Sequence, residues 1–269
     1  MAAAAGVAAA ALFVRARFVE PEQLRVTRVE VPLAGLDPSL DGFRLVQLSD
    51  VHGKLRVGGR PLAEAVAAQA PDAVAITGDL VNAGGPYAPA LAMLSQLKAP
   101  AGVFFVPGNN ESKATGAGRT EGLLPKIEAA GVVPLVNRSV RVGRGEGWFW
   151  LAGVDDPTRR RRDNLPWALR GTDDGRPCVL LAHGPHVLQR VAGQRVDYLL
   201  TGHTHGGQVC LPWYGPLLTR SPFGRKLAGG PGFANGVRAY VSRGIGTSLL
   251  PLRLFCRPEL VVHVLRRTG

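Results

Sequence analysis

Short apolar runs alternate with stretches of helical spacing along this chain, and the alternation predicts an α/β fold. Apolar runs bounded by turn residues predict strands at 24–31, 43–50, 73–77, 103–106, 139–143, 148–154, 178–182, 196–200, 237–242 and 259–265. Apolar positions with helical spacing predict helices at 61–69, 88–98, 121–131, 163–170 and 186–193. Strands that alternate with helices favour buried, partly parallel sheets, and strands that follow one another without a helix indicate a second sheet.

The 269 residues show no internal repeat and no long linker, so we expect one domain at 21–269 preceded by an apolar segment at 1–20. That segment opens with fourteen apolar residues. A bilayer span takes roughly 20 such residues. Arg15 and Arg17 follow directly. We therefore expect a membrane-proximal segment or the end of a longer spanning helix, and a frayed alanine-rich helix is the alternative.

The charge balance indicates what kind of partner to expect. A net charge of +12 and a pI near 10.6 favour anionic partners: phosphorylated substrates, an acidic membrane surface or, less strongly, nucleic acid. No protein partner is inferable. The three cysteines, Cys178, Cys210 and Cys256, are odd in number and form no C-x-x-C pair, which argues against a disulfide framework or a zinc ribbon. We expect buried free thiols.

Five of the predicted strands are followed by residues that ligate metals. In chain order these residues are Asp50 and His52, Asp79, Asn109, His183, and His203 with His205. Sites in open α/β sheets form beyond the carboxyl ends of the strands, so we expect these side chains to converge. A single histidine at a strand end would mean little, but five such ends are hard to assign to turns.

The ligand types point to two metal ions. Two carboxylates, four imidazoles and one amide oxygen are more than a single tetrahedral zinc requires. Mixed nitrogen and oxygen ligands favour Mn²⁺, Fe or Zn²⁺ over Ca²⁺ and Mg²⁺. Paired metals of this kind support in-line attack at phosphorus. The sequence therefore predicts a phosphoester hydrolase with two divalent metal ions.

The same motifs, D-x-H, G-D, G-N-x-E, a single H and G-H-T-H, resemble those of the calcineurin-like metallophosphoesterases over about 43–265. Segments 153–157, 202–209 and 243–253 are similar to the membrane-associated bacterial branch, in which some members hydrolyse UDP-2,3-diacylglucosamine. The resemblance implies a four-layer αββα sandwich with two mixed sheets.

The resemblance also implies a role for each ligand. Matched by position, the first metal would be held by Asp50, His52 and His205. The second would be held by Asn109, His183 and His203. Asp79 would bridge the two.

The chain departs from the family pattern at one position. The family usually has a histidine, the proton donor to the leaving oxygen, where this chain has Asn110. Three interpretations follow: impaired catalysis, a substitute donor such as His186, or a leaving group that needs no proton, as in a pyrophosphate. Asn110, Glu111 and His186 are the predicted catalytic residues.

Two basic segments are candidates for substrate or lipid binding. One is the run Arg159, Arg160, Arg161 and Arg162; the other is 211–227, with Trp213 and Arg220. Aromatic and basic residues together suit a membrane interface or single-stranded nucleic acid. Solvated or ordinary packed loops are the plain alternative.

The expected function is hydrolysis of a phosphodiester or pyrophosphate bond in an anionic, lipid-linked substrate. The expected location is the cytoplasmic face of the inner membrane. Two other functions remain open from the sequence: a basic metal-dependent nuclease, and a catalytically impaired protein that binds metal or lipid.

Overall fold

The computed structural model describes residues 1–114, 122–158 and 162–268. The strands are β1 (Arg25–Ala34), β2 (Arg44–Leu48), β3 (Arg56–Val57), β4 (Arg60–Pro61), β5 (Ala73–Ile76), β6 (Val103–Phe105), β7 (Val133–Pro134), β8 (Arg138–Arg144), β9 (Gly147–Gly153), β10 (Cys178–Leu181), β11 (Tyr198–Thr201), β12 (Cys210–Leu211), β13 (Gly215–Pro216), β14 (Gly230–Ala234), β15 (Val237–Val241) and β16 (Glu259–Thr268).

Apart from α1, the α-helices of the described residues are short, with four to seven residues each. The α-helices are α1 (Ala2–Val14), α2 (Leu62–Ala67), α3 (Ala88–Leu94), α4 (Asn109–Ala114), α5 (Leu124–Ala129) and α6 (Leu165–Ala168). A π-helical turn covers Arg15–Val19, and 3-10 turns cover Glu20–Glu22, Pro38–Leu40, Pro185–Gln189, His205–Gly207 and Gly224–Leu227.

Two mixed sheets form the centre of the molecule. The first has the strand order β1-β16-β2-β5-β6-β7, with β2, β5, β6 and β7 parallel and β16 antiparallel to β2. The second has the order β14-β15-β11-β10-β9-β8, with its four central strands parallel and both edge strands antiparallel. The predicted α/β class with two mixed sheets is confirmed.

Three layers of apolar side chains stabilise the sandwich, one between the sheets and one on the outer face of each sheet. Between the sheets, Leu45 and Phe104 share a cluster with Phe149 of the second sheet. Helices α2, α3 and α5 cover the outer face of the first sheet, and α6 with the turn at Pro185–Gln189 covers that of the second. Two helical layers therefore enclose two sheets, as the resemblance implied.

Several strands and helices begin or end at residues other than those predicted. Strand β1 runs to Ala34 because all ten of its residues pair in parallel with β16. The predicted helix at 186–193 is the 3-10 turn Pro185–Gln189, and that at 88–98 ends at Leu94. Helix α5 begins at Leu124, and the first residue of its predicted range lies outside the described residues.

The end of the predicted N-terminal segment, from Ala16 to Glu20, contacts the rest of the domain. Helix α1 is exposed, but Ala16 is buried and its carbonyl accepts a hydrogen bond from the Arg253 backbone N–H at 2.9 Å. Glu20 is also buried, and its carboxylate accepts from the Cys256 N–H. The predicted location at the membrane is wrong: over the described ranges, no helix is both long and apolar enough to cross a bilayer.

A buried histidine joins the two sheets through polar side chains. His263 of β16 contacts the Tyr198 hydroxyl through Nδ1 at 3.1 Å and Gln47 Oε1 through Nε2 at 3.1 Å. Gln47 Nε2 continues the chain of hydrogen bonds to Thr77 Oγ1 at 3.0 Å. Burial lowers the pKa of His263 to about 3.

We expect His263 to make folding stability depend on pH. Its pKa lies below the value of about 6.5 for an unfolded chain, so between these values the unfolded state binds more protons. Its contribution is complete above about pH 6.5 and is lost as the pH falls, with a slope of up to ~1.4 kcal/mol per pH unit.

His263→Gln keeps a polar side chain but does not titrate. Urea unfolding between pH 4.5 and 6.5 should therefore show a shallower dependence of the free energy of unfolding on pH in this variant than in the wild type. Other buried histidines titrate in both proteins, so the difference between the two slopes is the informative quantity. Equal slopes would remove His263 from this role.

Candidate metal centre

The structure brings all seven predicted ligands to one edge of the sandwich. They follow the carboxyl ends of β2, β5 and β6 in the first sheet and of β10 and β11 in the second. Six of them are buried, and His203 is partly buried. Parallel strands from two packed sheets end at this edge, which explains why residues far apart in sequence meet there.

The backbone at this edge is strained. Positive φ angles occur at Asp50 (49°), His52 (49°), Asp79 (53°), His203 (70°) and His205 (55°). Such angles are uncommon for residues other than glycine and concentrate at functional sites, where the surrounding structure holds them. Five of the seven ligands therefore lie at sharp turns of the backbone just after their strands.

Two glycines allow the ligand loops to approach one another closely. A Cβ at Gly108 would collide with the Asp79 carboxylate, and a Cβ at Gly202 would collide with the side chains of Ser49 and Asp50. The G-N and G-H steps of the motifs therefore have a steric reason, since a side chain at either glycine would occupy the place of a ligand or its neighbour.

The first ligand set brings three side-chain atoms to one point. His52 Nε2 lies 3.0 Å from His205 Nε2. Asp50 Oδ1 lies 3.4 Å from His205 Nε2 and 3.9 Å from His52 Nε2. These atoms can bind a single cation together.

The second set meets around His183. Its Nε2 lies 3.3 Å from Asn109 Oδ1 and 3.1 Å from His203 Nδ1. Asp79 Oδ2 lies 3.6 Å from both His183 Nε2 and His52 Nε2. A carboxylate equidistant from one histidine of each set is placed to bridge two ions.

The protonation of these groups fits metal binding. Burial lowers the pKa of His52 to about 4 and holds the pKa values of His203 and His205 well below 6.5, so these imidazoles are neutral and keep a lone pair. Within the described residues, the buried Asp50 Oδ1 and His205 Nδ1 make no hydrogen bond. A carboxylate oxygen buried in this way needs a cation.

The pKa values of Asp79 and His183 also fit metal binding. Burial raises the pKa of Asp79 to about 8. Burial alone would lower the pKa of His183, but the carboxylates of Asp79 and Asp50 outweigh it and raise that pKa to about 9. A metal ion at this place would replace the proton on His183 and stabilise the charged form of Asp79.

Neighbouring groups that the sequence did not reveal orient the ligands. Asn82 Oδ1 lies 2.9 Å from His52 Nδ1, and the Thr77 carbonyl lies 2.8 Å from His183 Nδ1. These acceptors place the ring proton on Nδ1 and leave Nε2 facing the site. The Ser49 hydroxyl donates to Asp50 Oδ2 at 2.6 Å. None of these residues has a distinctive motif, so only the fold identifies them.

Glu111, one of the predicted catalytic residues, connects two of the ligand loops. It is fully buried, and its carboxylate accepts backbone hydrogen bonds from Asp79 (2.9 Å), Leu80 (2.8 Å) and Gly108 (2.7 Å). These bonds tie the loop after β5 to the loop after β6. Glu111 is therefore a positioning residue that holds the bridging Asp79.

Asn110 orients its neighbour. Its Oδ1 accepts a hydrogen bond from Asn109 Nδ2 at 3.0 Å, and its Nδ2 donates to the Val81 carbonyl at 3.1 Å. The backbone N–H of Asn110 also donates to Asp79 Oδ1 at 2.8 Å. With its amide nitrogen engaged by Asn110, Asn109 directs its oxygen towards His183.

A cavity of about 370 Å³ opens beside the second ligand set. It is lined by Asn109, Asn110, Thr158, His186, His203, Arg220, Ser248 and Leu249. We call it the reaction cleft. Three predicted residues outside the ligand sets, Asn110, His186 and Arg220, therefore line this cleft beside the second ligand set.

The other predicted substrate residues are not part of the reaction cleft as described. Arg159, Arg160 and Arg161 lie outside the described residues, and Arg162 is exposed. Trp213 is fully exposed and is absent from the described lining of the cleft, and its contact with substrate stays a prediction. Its backbone adopts a positive φ of 61°.

We expect Asp79→Ala to abolish stable binding of both metals. Losing the shared carboxylate weakens both sites and leaves two cations facing each other across a short gap. Elemental analysis of the purified variant measures this directly. Asp173→Ala, which removes an exposed carboxylate elsewhere, is the matched control. Two tightly held metals in Asp79→Ala would exclude the bridging role.

Known proteins show the same pattern over most of the chain. The family model for calcineurin-like phosphoesterases matches residues 43–207. The uncharacterized metallophosphoesterase YkuE of Bacillus subtilis is 29% identical over 94% of this chain and 90% of its own length. The phosphodiesterase YaeI of Escherichia coli is 27% identical over 97% of this chain and 95% of its own.

A third relative is longer than this chain. The transmembrane protein with metallophosphoesterase domain of Bos taurus is 33% identical over 90% of this chain, which spans 57% of that protein. The ligand clusters and the family match agree on two divalent metal ions and a metal-dependent phosphohydrolase. This chain belongs to the calcineurin-like phosphoesterase family.

Proposed function

We propose that this phosphohydrolase cleaves a pyrophosphate bond, or a phosphodiester with a comparably good leaving group, in a substrate that carries an apolar chain. A lipid-linked nucleoside diphosphate such as UDP-2,3-diacylglucosamine belongs to this class. One observation carries the proposal: the reaction cleft shares lining residues with an apolar groove.

The groove has a volume of about 360 Å³. Apolar side chains make up much of its lining: Val209, Leu217, Leu218, Leu249 and Leu250. It shares three residues with the reaction cleft, namely Arg220, Ser248 and Leu249. A single substrate could therefore place a phosphate in the cleft and an apolar chain in the groove.

The leucines of the groove are unusually exposed. Leu218 is 67% exposed, Leu249 is 83% exposed and Leu250 is 60% exposed. Exposed apolar patches on soluble folds commonly mark binding surfaces. Each leucine side chain buried by a ligand contributes about 1.5–3 kcal/mol of transfer free energy.

The chain's own residues orient and bind the substrate. The two ligand sets would hold two divalent ions, and these would supply polarisation of the phosphoryl group and a lower pKa for bound water. Arg220 lies at the junction of cleft and groove, where its guanidinium donates to Ser248 Oγ at 3.3 Å and can also bind a phosphate oxygen. Asp79 and Asn109 are held in place by Glu111 and Asn110.

The side chain of Asn110 bears on which kind of bond the protein cleaves. An amide cannot act as a general acid, and this one is engaged by Asn109 and by the Val81 carbonyl. An alkoxide leaves poorly without a proton, whereas a phosphate leaves readily near neutral pH. A diphosphate bond therefore matches a cleft with asparagine at this position. The name of the Escherichia coli relative, a phosphodiesterase, supports the wider class of diester substrates.

We expect kcat/KM to be higher for a pyrophosphate substrate than for an alkyl phosphodiester. General-acid help is worth about 10² to 10⁴ in rate when the leaving group is poor. Asn110→His should therefore raise kcat/KM for the alkyl diester by about 10² and leave the pyrophosphate substrate nearly unchanged. Metal content is measured alongside, because Asn110 also orients a ligand.

His186→Ala is the control for the substitute donor. His186 lines the reaction cleft, with its ring centroid 5.6 Å from that of His203. Wild-type cleavage of alkyl diesters that matches pyrophosphate cleavage and is lost in His186→Ala would make His186 the donor and overturn the leaving-group argument. No turnover with both metals bound would favour the impaired protein.

A second prediction concerns the groove. Leu218→Asp should raise KM about tenfold for a diphosphate substrate with a long acyl chain, since a buried apolar contact becomes a buried charge. KM for the same headgroup without the chain should stay the same. Leu12→Asp, on exposed helix α1, is the matched control. Equal KM values in wild type and Leu218→Asp, or efficient cleavage of single-stranded DNA instead, would contradict the apolar-chain substrate.

A further inference from the structure

A second cavity, separate from the reaction cleft, is lined by arginines. Its volume is about 300 Å³, and its lining includes Arg15, Arg25, Arg243 and Arg257 together with Glu20 and Phe255. It shares no described lining residue with the reaction cleft. We call it the arginine cavity.

The charges of the arginine cavity do not balance. Arg15 pairs with Glu20 at 3.2 Å, and Arg243 pairs with Glu259 at 2.8 Å. Among the described residues, no ion pair joins Arg25 or Arg257 to a carboxylate. Four guanidinium groups facing two carboxylates leave an excess of two positive charges, which suits a doubly charged anion.

The cavity is built by the fold and is not a chance cluster on one loop. Arg15 and Glu20 come from the N-terminal segment, and Phe255 and Arg257 come from the segment before β16. Glu20 is buried, and its carboxylate accepts a hydrogen bond from the Cys256 N–H. The Arg253 N–H donates to the Ala16 carbonyl at 2.9 Å, so these two distant segments are fixed together.

One of the arginines is also held by an aromatic ring. The Arg15 guanidinium lies 5.0 Å from the centroid of the Phe255 ring, at cation–π distance. Phe255 lines the cavity and adopts a positive φ of 52°. A guanidinium fixed in this way loses less conformational entropy when it binds a ligand.

We propose that the arginine cavity binds the phosphate group of a soluble phosphate monoester. Guanidinium groups bind phosphate oxygens through paired, charge-assisted hydrogen bonds. The doubly charged monoester matches the excess charge, and the volume admits the phosphate together with a small attached group. This site is independent of the substrate proposed above, since it shares none of the groups that hold the metals.

Equilibrium dialysis of the metal-loaded protein against labelled inorganic phosphate at low ionic strength tests the proposal. We expect two phosphates per wild-type chain, one at the metal centre and one in the arginine cavity. Arg25→Gln/Arg257→Gln should bind one, with affinity for the second lowered at least about tenfold. Arg28→Gln/Arg60→Gln, which removes two exposed arginines outside the cavity, should bind two.

Turnover of a chromogenic aryl phosphodiester measures whether the metal centre is intact in each variant. Retained turnover with loss of one phosphate only in Arg25→Gln/Arg257→Gln supports the site. The same phosphate stoichiometry in all three proteins would overturn it. So would an equal loss in the Arg28→Gln/Arg60→Gln control, because the binding would then follow overall charge.

Discussion

Asp79 places one carboxylate oxygen 3.6 Å from a histidine of each ligand set, and the rest of the site depends on that position. His52 comes from the first sheet and His183 from the second, so both sheets must end at the same edge for the bridge to form. The apolar layer between the sheets fixes their separation, because Leu45 and Phe104 pack in one cluster with Phe149. A substitution in this layer would therefore change the distance between the two ligand sets.

The buried carboxylate of Glu111 holds the bridging Asp79 in place, and backbone hydrogen bonds make its burial possible. Glu111 is as deeply buried as the ligands, and burial raises its pKa. Three backbone N–H groups compensate for part of that cost by donating to its oxygens. Two of those donors are the backbone N–H groups of the bridging Asp79 itself and of Gly108, which precedes the ligand Asn109. Cations at the ligand sets would stabilise the negative charges of Asp79 and Glu111 together, so metal binding and loop order are linked.

The sequence predicted the two sheets and the ligand positions because both depend on strong local patterns. Apolar runs mark buried strands, and ligand-type residues at their ends are visible without a structure. It did not predict Asn82, whose contact with His52 depends on a loop with no motif of its own. It placed Glu111 near the site but did not reveal its partners, since the motif shows an acidic residue but not that the carboxylate accepts hydrogen bonds from backbone N–H groups. It did not predict where Trp213 lies, because composition indicates what a loop could bind but not which way it points.

The two adjacent asparagines follow from the same reasoning. Asn109 needs its oxygen directed at His183, and an isolated amide can rotate to present nitrogen instead. Asn110 removes that freedom by accepting from Asn109 Nδ2, while its own nitrogen is held by the Val81 carbonyl. A histidine at this position could donate a proton to a leaving group, but it could not reproduce both amide contacts at once. Asparagine therefore favours a well-oriented ligand over a proton donor, and that choice suits a substrate whose leaving group departs without help.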